Sequence, residues 1–460
     1  MANKTNPVAE GLAALGKDIA DIGITFVDGD AKTRFSYLIF GLGPLLRGQI
    51  AKGLAFLACE AAFILYMVFF GWKYLMKFNT LGTIETAKKG RVTVYGDNSF
   101  LILLFGLLTI ILIGMIILIW RMNLRENRRE ELLLRRGKTL PSNRKVMASL
   151  LDSNFDKTLL ALPVLGIFVF TVLPIIFMIC VAFTNYDKTH QSPTNLFTWV
   201  GLENFSKLFA FGKAGFGSTF LSVLAWTLVW AFFATFLNYF LGMGVAILIN
   251  RKGIRFKKLW RTILVLTIAV PQFVSLLYIY KMFANDGLVN GYLLKWGWIT
   301  SPIPFWTNPM LARITIIVVN VWIGIPYMML IATGLLMNIP DELYESARID
   351  GASPFQMFKS ITLPYMLFVT GPFLLTQFTG NLNNFNVIYL LTKGQPQSMR
   401  LTDNAGQTDL LVTWLYKMTV TDTNYKMAAV IGIMVFLVTA VVSLVVYNML
   451  PSVKDEGGFQ

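Results

Sequence analysis

Histidine occurs once in this 460-residue chain, at His190, and cysteine twice, at Cys59 and Cys180. A single imidazole all but removes a histidine metal cluster or a Ser–His triad from consideration. Both cysteines lie in apolar runs, which argues against a disulfide framework and against a thiolate metal site. Charge is scarce as well: Asp, Glu, Lys and Arg make up 14% of the chain, where a soluble domain carries about 25%. The N-terminus is polar and has no early apolar stretch, so no cleavable signal peptide is expected.

What is abundant is apolar sequence. Hydrophobic residues are 55% of the chain, and they recur in runs long enough to cross a bilayer, which takes roughly 20 residues. Eight spans are expected, at about 51–76, 99–120, 157–184, 219–249, 260–284, 311–336, 365–392 and 425–449. The chain therefore reads as an all-α polytopic membrane protein. The segment "FSYLIFGLGPLLRGQIAKGL" (35–54) is too broken by Gly and Pro to span, and reads as an interfacial or re-entrant helix.

The formal net charge of +15 then has a simple cause, the excess of Lys and Arg in cytoplasmic loops. It does not imply a nucleic-acid partner. The loop 121–154 contains Arg121, Arg125, Arg128, Arg129, Arg135, Arg136, Lys138, Arg144 and Lys145, and 250–261 contains Arg251, Lys252, Arg255, Lys257, Lys258 and Arg261. The alternate loops are poor in such residues: 285–310 has Lys295, and 186–218 has Lys188, Lys207 and Lys213. Both rich loops are thus placed in the cytoplasm, with both termini and 337–364. The aromatics Trp296, Trp298, Phe305 and Trp306 of the outer loop 285–310 suit an interfacial belt.

Two chemical signals dissolve on inspection. "RRGKTL" (135–140) contains Gly-Lys-Thr, but a phosphate-binding loop needs a glycine five residues before Gly137, where Leu132 stands. Nucleotide chemistry must then come from another subunit, or the energy from an ion gradient. An ion-coupled carrier places charged residues within its spans. Here the central parts of the spans have almost none. Glu60, near the start of the first span, is the clearest acid, and an interfacial place would account for it.

The stretch "NIPDELYESARIDGASPFQMFKSITLP" (338–364) is acidic on a basic side. Pro340 suits a first helical position, Asp341 and Glu342 complement the dipole of the first turn, and Gly351 fits a left-handed stop. Ser353 and Gln356 have the spacing of a capping box with Pro354 at the first position. Pro364 is expected to end or kink the second helix. Leu343, Tyr344, Ala347 and Ile349 of the first helix need a partner. Membrane-surface helices favour Lys and Arg, so a protein groove is the better one.

"ESARIDGASPFQMFKSITLP" resembles the coupling motif, Glu-Ala-Ala followed by Asp-Gly-Ala and Ile-x-Leu-Pro, of ATP-binding-cassette importer permeases. Glu345, Ala347, Asp350, Gly351, Ala352, Ile361, Leu363 and Pro364 match, and Ser346 stands where the motif has a second alanine. The resemblance implies a type I ABC-importer permease architecture. It also implies that Glu345, Ser346, Ala347, Asp350, Gly351 and Ala352 dock on a cytosolic ATPase. ATP and magnesium would be bound there, with no catalytic residue, metal or cofactor in this chain. "NVWIGIPYMML" (320–330) and "NLNNFNVIYLL" (381–391) resemble the larger permease of maltose and maltodextrin importers. Members with a large extracytoplasmic domain between the third and fourth spans differ from this chain, whose 185–218 is far shorter. That favours a Gram-positive-type cell membrane and a lipid-anchored binding protein.

Gln377, Asn381 and Asn384 fall within about 60° of one another on a helix, and Asn320, Gly324 and Tyr327 form a similar stripe. Such amides either join helices or line a wet cavity suited to sugar hydroxyls; both readings stay open. The resemblance implies substrate contacts at Asn320, Gly324, Tyr327, Gln377, Gly380, Asn381 and Asn384. Gln377 replaces a small hydroxyl residue and Gly380 an aromatic, which widens the site and points to an oligosaccharide. The outer loop 393–424 is a candidate contact for the binding protein. The expected partners are a second related permease, two ATPase subunits, the binding protein and lipid. The expected division is 1–50, a cytoplasmic or interfacial segment; 51–156, two spans and the basic loop; 157–450, the six-span core with the coupling loop 337–364; and 451–460, a cytoplasmic tail. The alternatives are an ion-coupled carrier, a permease for another uncharged solute, and a membrane scaffold.

Overall fold

The computed structural model describes Gly16 and residues 20–450 apart from 90, 213–214 and 252. Lys213, Lys252, most of the first 19 residues and the 451–460 tail lie outside the described residues. Among the described residues, seven helices are long and apolar enough to cross a membrane: Ile50–Lys77, Ser99–Arg135, Phe155–Val181, Phe216–Asn250, Pro309–Leu336, Pro354–Leu391 and Tyr425–Met449. An eighth crossing is a broken pair, Lys257–Ala269 and Gln272–Met282, bent by 91°. The described residues fall into two compact units, Met1–Cys180 with Thr189–Trp199, and Val181–Lys188 with Val200–Gln460. The third long helix thus goes mostly with the first unit, whereas a division at 156 groups it with the core.

In the first unit, the second long helix runs for 37 residues from its cap at Asn98, whose side chain accepts the Leu101 N–H. At 1.5 Å per residue this is about 55 Å, well beyond a hydrocarbon core of about 30 Å. Its C-terminal third is therefore not a loop, as 121–154 was read. Asn123, Asn127, Glu130 and Glu131 are buried there. Glu130 accepts from Lys52 in the first turn of the first span, and the other three bind the segment before that span, which is two short helices, Ala31–Phe35 and Leu42–Leu46, rather than one interfacial or re-entrant helix. Asn123 accepts the Gly41 N–H at 3.0 Å, and Glu131 accepts the Thr33 hydroxyl at 2.9 Å. Arg47 donates to Asp30, Thr33 and Asn127 at 2.7, 2.7 and 2.9 Å. Glu60 accepts the Phe40 N–H at 2.8 Å, so the one acid noted inside a span caps a turn. Broken backbone tolerates an apolar setting only when its polar groups are met, and these side chains meet them.

In the second unit, the fourth and sixth spans run parallel. Trp226 lies against Arg313, a β-carbon on Gly324 would meet Asn238, one on Gly242 would meet Met328, and Asn250 donates to Thr333. The partners ascend together along both helices. A chain that leaves one helix at Asn250 and begins its parallel neighbour at Pro309 must return across the membrane between them. The broken pair makes that return, so the count is eight. The seventh span is antiparallel to the fourth, since Tyr239 pairs with Thr370 and Thr235 with Asn381. Asn250, Arg251, residues 253–257 and residues 337–362 accordingly sit at one end of the unit. Residues 393–424 sit at the other, where Thr402 bonds to Thr219 and Trp414 packs on Phe216. There Asp409 is fully buried and accepts from Lys417 at 2.5 Å and from the Gly406 N–H at 2.7 Å. Burial pushes its carboxyl up, and Lys417 opposes that.

Trp306, assigned above to an interfacial belt, is buried and donates its indole N–H to the Tyr280 carbonyl at 3.0 Å. Trp296 and Trp298 are exposed. A two-stranded ribbon, Ala87–Lys89 with Val92–Val94, joins the first two spans.

Candidate functional site

The fifth crossing breaks where Pro271 follows Val270. Proline disfavours the helical conformation in the preceding residue, and Val270 is extended, with φ −78° and ψ 125°. A broken helix at membrane depth leaves unpaired carbonyls on one half and unpaired N–H groups on the other, tolerable where they face a cavity. A cavity of about 440 Å³ lies there, bounded by residues 267–272 and Ser275 of the broken pair and by Trp322, Ile323, Gly324 and Tyr327 of the sixth span. Among the described residues, no charged side chain lines it. It offers uncharged donors and acceptors, two oppositely polarised helix ends and two aromatic rings. That set suits a neutral polyhydroxylated ligand.

Of the sixth-span stripe, Gly324 and Tyr327 reach this cavity, and Tyr327 is 47% exposed. Gly324 is also a close approach, because a β-carbon would lie 2.4 Å from the Asn238 side chain. Asn320, one turn away, is buried with its Nδ2 unpartnered, as is the Asn238 Oδ1. The break at Pro271, with Gln272 and Ser275, was missed in the sequence; a proline in mid-span was its signal. Asn238 and Thr235 on the fourth span were missed as well; their i, i+3 spacing on one helix face was the signal.

The other stripe does not line this cavity, and it is interrupted. The helix from Leu363 ends at Leu382, and Asn384 caps the next, accepting the Val387 N–H at 3.3 Å. Asn side chains compete with helix by bonding nearby backbone, so the three residues do not share one helix face. They are nevertheless held close: Asn384 donates to Asn381 at 3.3 Å, and Asn381 donates to Thr235 at 3.0 Å. The Asn381 carbonyl accepts from the Trp230 indole at 3.1 Å. Gln377 is half-buried. Gly380 is exposed, with open space around it.

The hairpin begins with Asp341–Ile349, capped by Pro340, which stands one residue before the first helical position. Asp350 caps its end and Gly351 takes φ +78°. Ser353 and Gln356 form the reciprocal capping box, with Pro354 at the first turn. Pro364 does not end the second helix. The five residues Phe358–Thr362 widen into a π turn, and the Leu363 N–H reaches back to the Phe358 carbonyl. A wider turn accommodates the missing proline N–H and ring clash. None of the first helix is buried: Glu345 and Ser346 are exposed, Ala347 and Ala352 are intermediate, and Ile349 is 87% exposed. A side-chain hydrogen bond ties it to the second helix, between the Tyr344 and Thr362 hydroxyls at 2.8 Å.

The family described as "Binding-protein-dependent transport system inner membrane component" matches residues 238–455. The chain is 36% identical over 421 residues to the galactooligosaccharides transport system permease protein GanP of Bacillus subtilis (strain 168), covering 91% of this chain and 97% of that protein. It is 33% identical over 435 residues to the maltodextrin transport system permease protein MalC of Streptococcus pneumoniae serotype 4, covering 93% and 97%. Against the maltose/maltodextrin permease MalF of Escherichia coli (strain K12) it is 37% identical over 266 residues, 57% of this chain and 51% of MalF. A chain of a bacterial ABC transporter involved in the import of the acidic polysaccharide alginate shares the fold. It has a TM-score of 0.52 and 21% identity, over 67% of this chain and 99% of that one.

Proposed function

Since this chain belongs to the binding-protein-dependent transport system inner membrane component family, we propose that it is the permease subunit of an ATP-driven importer of an uncharged oligosaccharide. The observation that carries the substrate class is the uncharged cavity at the broken fifth crossing, with Tyr327 and Trp322 on its wall. Sugars take neutral hydrogen-bonding groups and aromatic faces. Asn320, Gly324 and Tyr327 form one wall of the pathway. Gln377, Gly380, Asn381 and Asn384 form a second, which sugar reaches as the spans separate.

The hairpin is the coupling element. Its exposed acidic helix, at the same end as Arg251, Arg255, Lys257, Lys258 and Arg261, docks on a cytosolic ATPase through Glu345, Ser346, Ala347, Asp350, Gly351 and Ala352. Closure of two ATPase subunits, which hold ATP and magnesium, displaces this helix. The displacement passes through Gly351 and the Tyr344–Thr362 contact into the seventh span. A second related permease completes the pathway, and a lipid-anchored binding protein delivers the sugar to the 393–424 end. Both termini are cytoplasmic, in the cell membrane of a Gram-positive-type bacterium.

Purification of the complex from its source and reconstitution into liposomes tests this. Uptake of labelled malto- or galacto-oligosaccharide should require ATP and the binding protein. Uptake by this chain alone, driven by an ion gradient, overturns it.

A further inference from the structure

The groove between the fourth and sixth spans, at the 393–424 end, has a feature that sugar transport does not use. It is a cavity of about 610 Å³, lined along the fourth span by Trp226, Val229, Phe233 and Leu237, and along the sixth by Arg313 and Ile317. Ser222, at its mouth, is the other polar side chain in an otherwise apolar lining. Ser222 to Leu237 is 15 residues of helix, about 22 Å at 1.5 Å per residue, close to the depth of one membrane leaflet with its interface.

Arg313 is the fifth residue of a 28-residue membrane helix. Its guanidinium carbon lies 4.6 Å from the centre of the Trp226 ring, and its Nε donates to the Gln407 carbonyl at 2.9 Å. Trp226 is itself fixed, donating to the Thr408 carbonyl at 3.1 Å. The stem and plane of the arginine are therefore held in place. Its two terminal amines make no hydrogen bond or ion pair among the described residues. An arginine this close to the end of a membrane helix reaches the interface, the level at which lipid phosphates lie. A guanidinium presents its amines in the fork that a phosphate accepts.

We propose that this groove is an anionic phospholipid site, in which the phosphate bonds the Arg313 amines and one acyl chain lies along Val229, Phe233 and Leu237. The charge selects the occupant, because an apolar helix of a partner would fill the groove and leave the arginine unmet. The lining is exposed on this chain, with Val229 45% and Val318 59% exposed. Basic pockets between membrane helices on the cytoplasmic side take phospholipid headgroups, and the same guanidinium–phosphate chemistry is available at this opposite end. The bound lipid braces the joint between the two parallel spans and the 407–408 backbone.

The test uses the purified full complex in nanodiscs. A phosphatidylglycerol with a photoreactive acyl chain is compared with a phosphatidylcholine carrying the same chain. Phosphatidylglycerol should label peptides within 222–237 and 310–318. Arg313→Gln should reduce that labelling about fivefold, as for loss of roughly 1 kcal/mol per basic residue, and Arg313→Lys should retain most of it. Phe233→Trp leaves the Arg313–Gln407 bond intact and should block labelling by filling the groove. Excess inorganic phosphate should not compete, because it lacks the acyl chain. Equal labelling by the neutral lipid, or unchanged labelling in Arg313→Gln, overturns the proposal, as does labelling that appears only after the partner permease is removed.

Discussion

At the scale of single residues, Asn381 has two uses to reconcile. Its side chain joins the seventh span to the fourth through Thr235, and it belongs to the proposed second wall of the sugar path. Asn381→Leu should cost about 1 kcal/mol, a typical net hydrogen-bond contribution, seen as a lower melting temperature of the purified complex. It should also raise the KM for sugar uptake; an unchanged KM assigns the residue to packing alone. Glu345 is simpler, because it is exposed and bonded to nothing else in its own helix or hairpin. Glu345→Lys should leave insertion and fold intact while ATP hydrolysis no longer drives uptake, a loss of about tenfold or more if a charge-assisted contact of 1.5–3 kcal/mol is cut. Normal uptake by that variant removes the hairpin from the coupling path.

At the scale of elements, punctuation residues decided what could be read in advance. The capping box at Ser353 and the stop at Gly351 were legible because each rests on a local rule that the structure follows. The seventh span was less so: Pro364 signalled an end, yet a π turn absorbed it, and only packing decides between those outcomes. Asn383 and Asn384 break that span by local bonding, which a helical wheel ignores. The cavity was half legible. Gly324 and Tyr327 were read from helical spacing, but their neighbours across the break are distant in sequence and lay hidden inside one apolar run. Pro271→Leu probes that break directly. A continuous helix would meet its own backbone groups and close the cavity, so transport should fall by more than tenfold while the complex still assembles. Retained transport removes the break from the pathway.

At the scale of the whole molecule, the parallel fourth and sixth spans fix the parity of the crossings. They set the acidic hairpin and the basic residues Arg251, Arg255, Lys257 and Lys258 on one side, and 393–424 with the start of the fourth span on the other. A cysteine placed in 186–218 should react with an impermeant thiol reagent on intact cells, and protection there reverses the orientation. The broken crossing carries a further consequence, for biosynthesis. Its halves have 13 and 11 residues, about 20 and 16 Å, and neither reaches across about 30 Å of hydrocarbon alone. Bent as it is, the pair needs both antiparallel neighbours to stay at membrane depth, and of these the sixth span is made after it. A chain truncated at 284 should therefore leave 257–282 accessible to protease in isolated membranes, and one extended to 340 should shelter it.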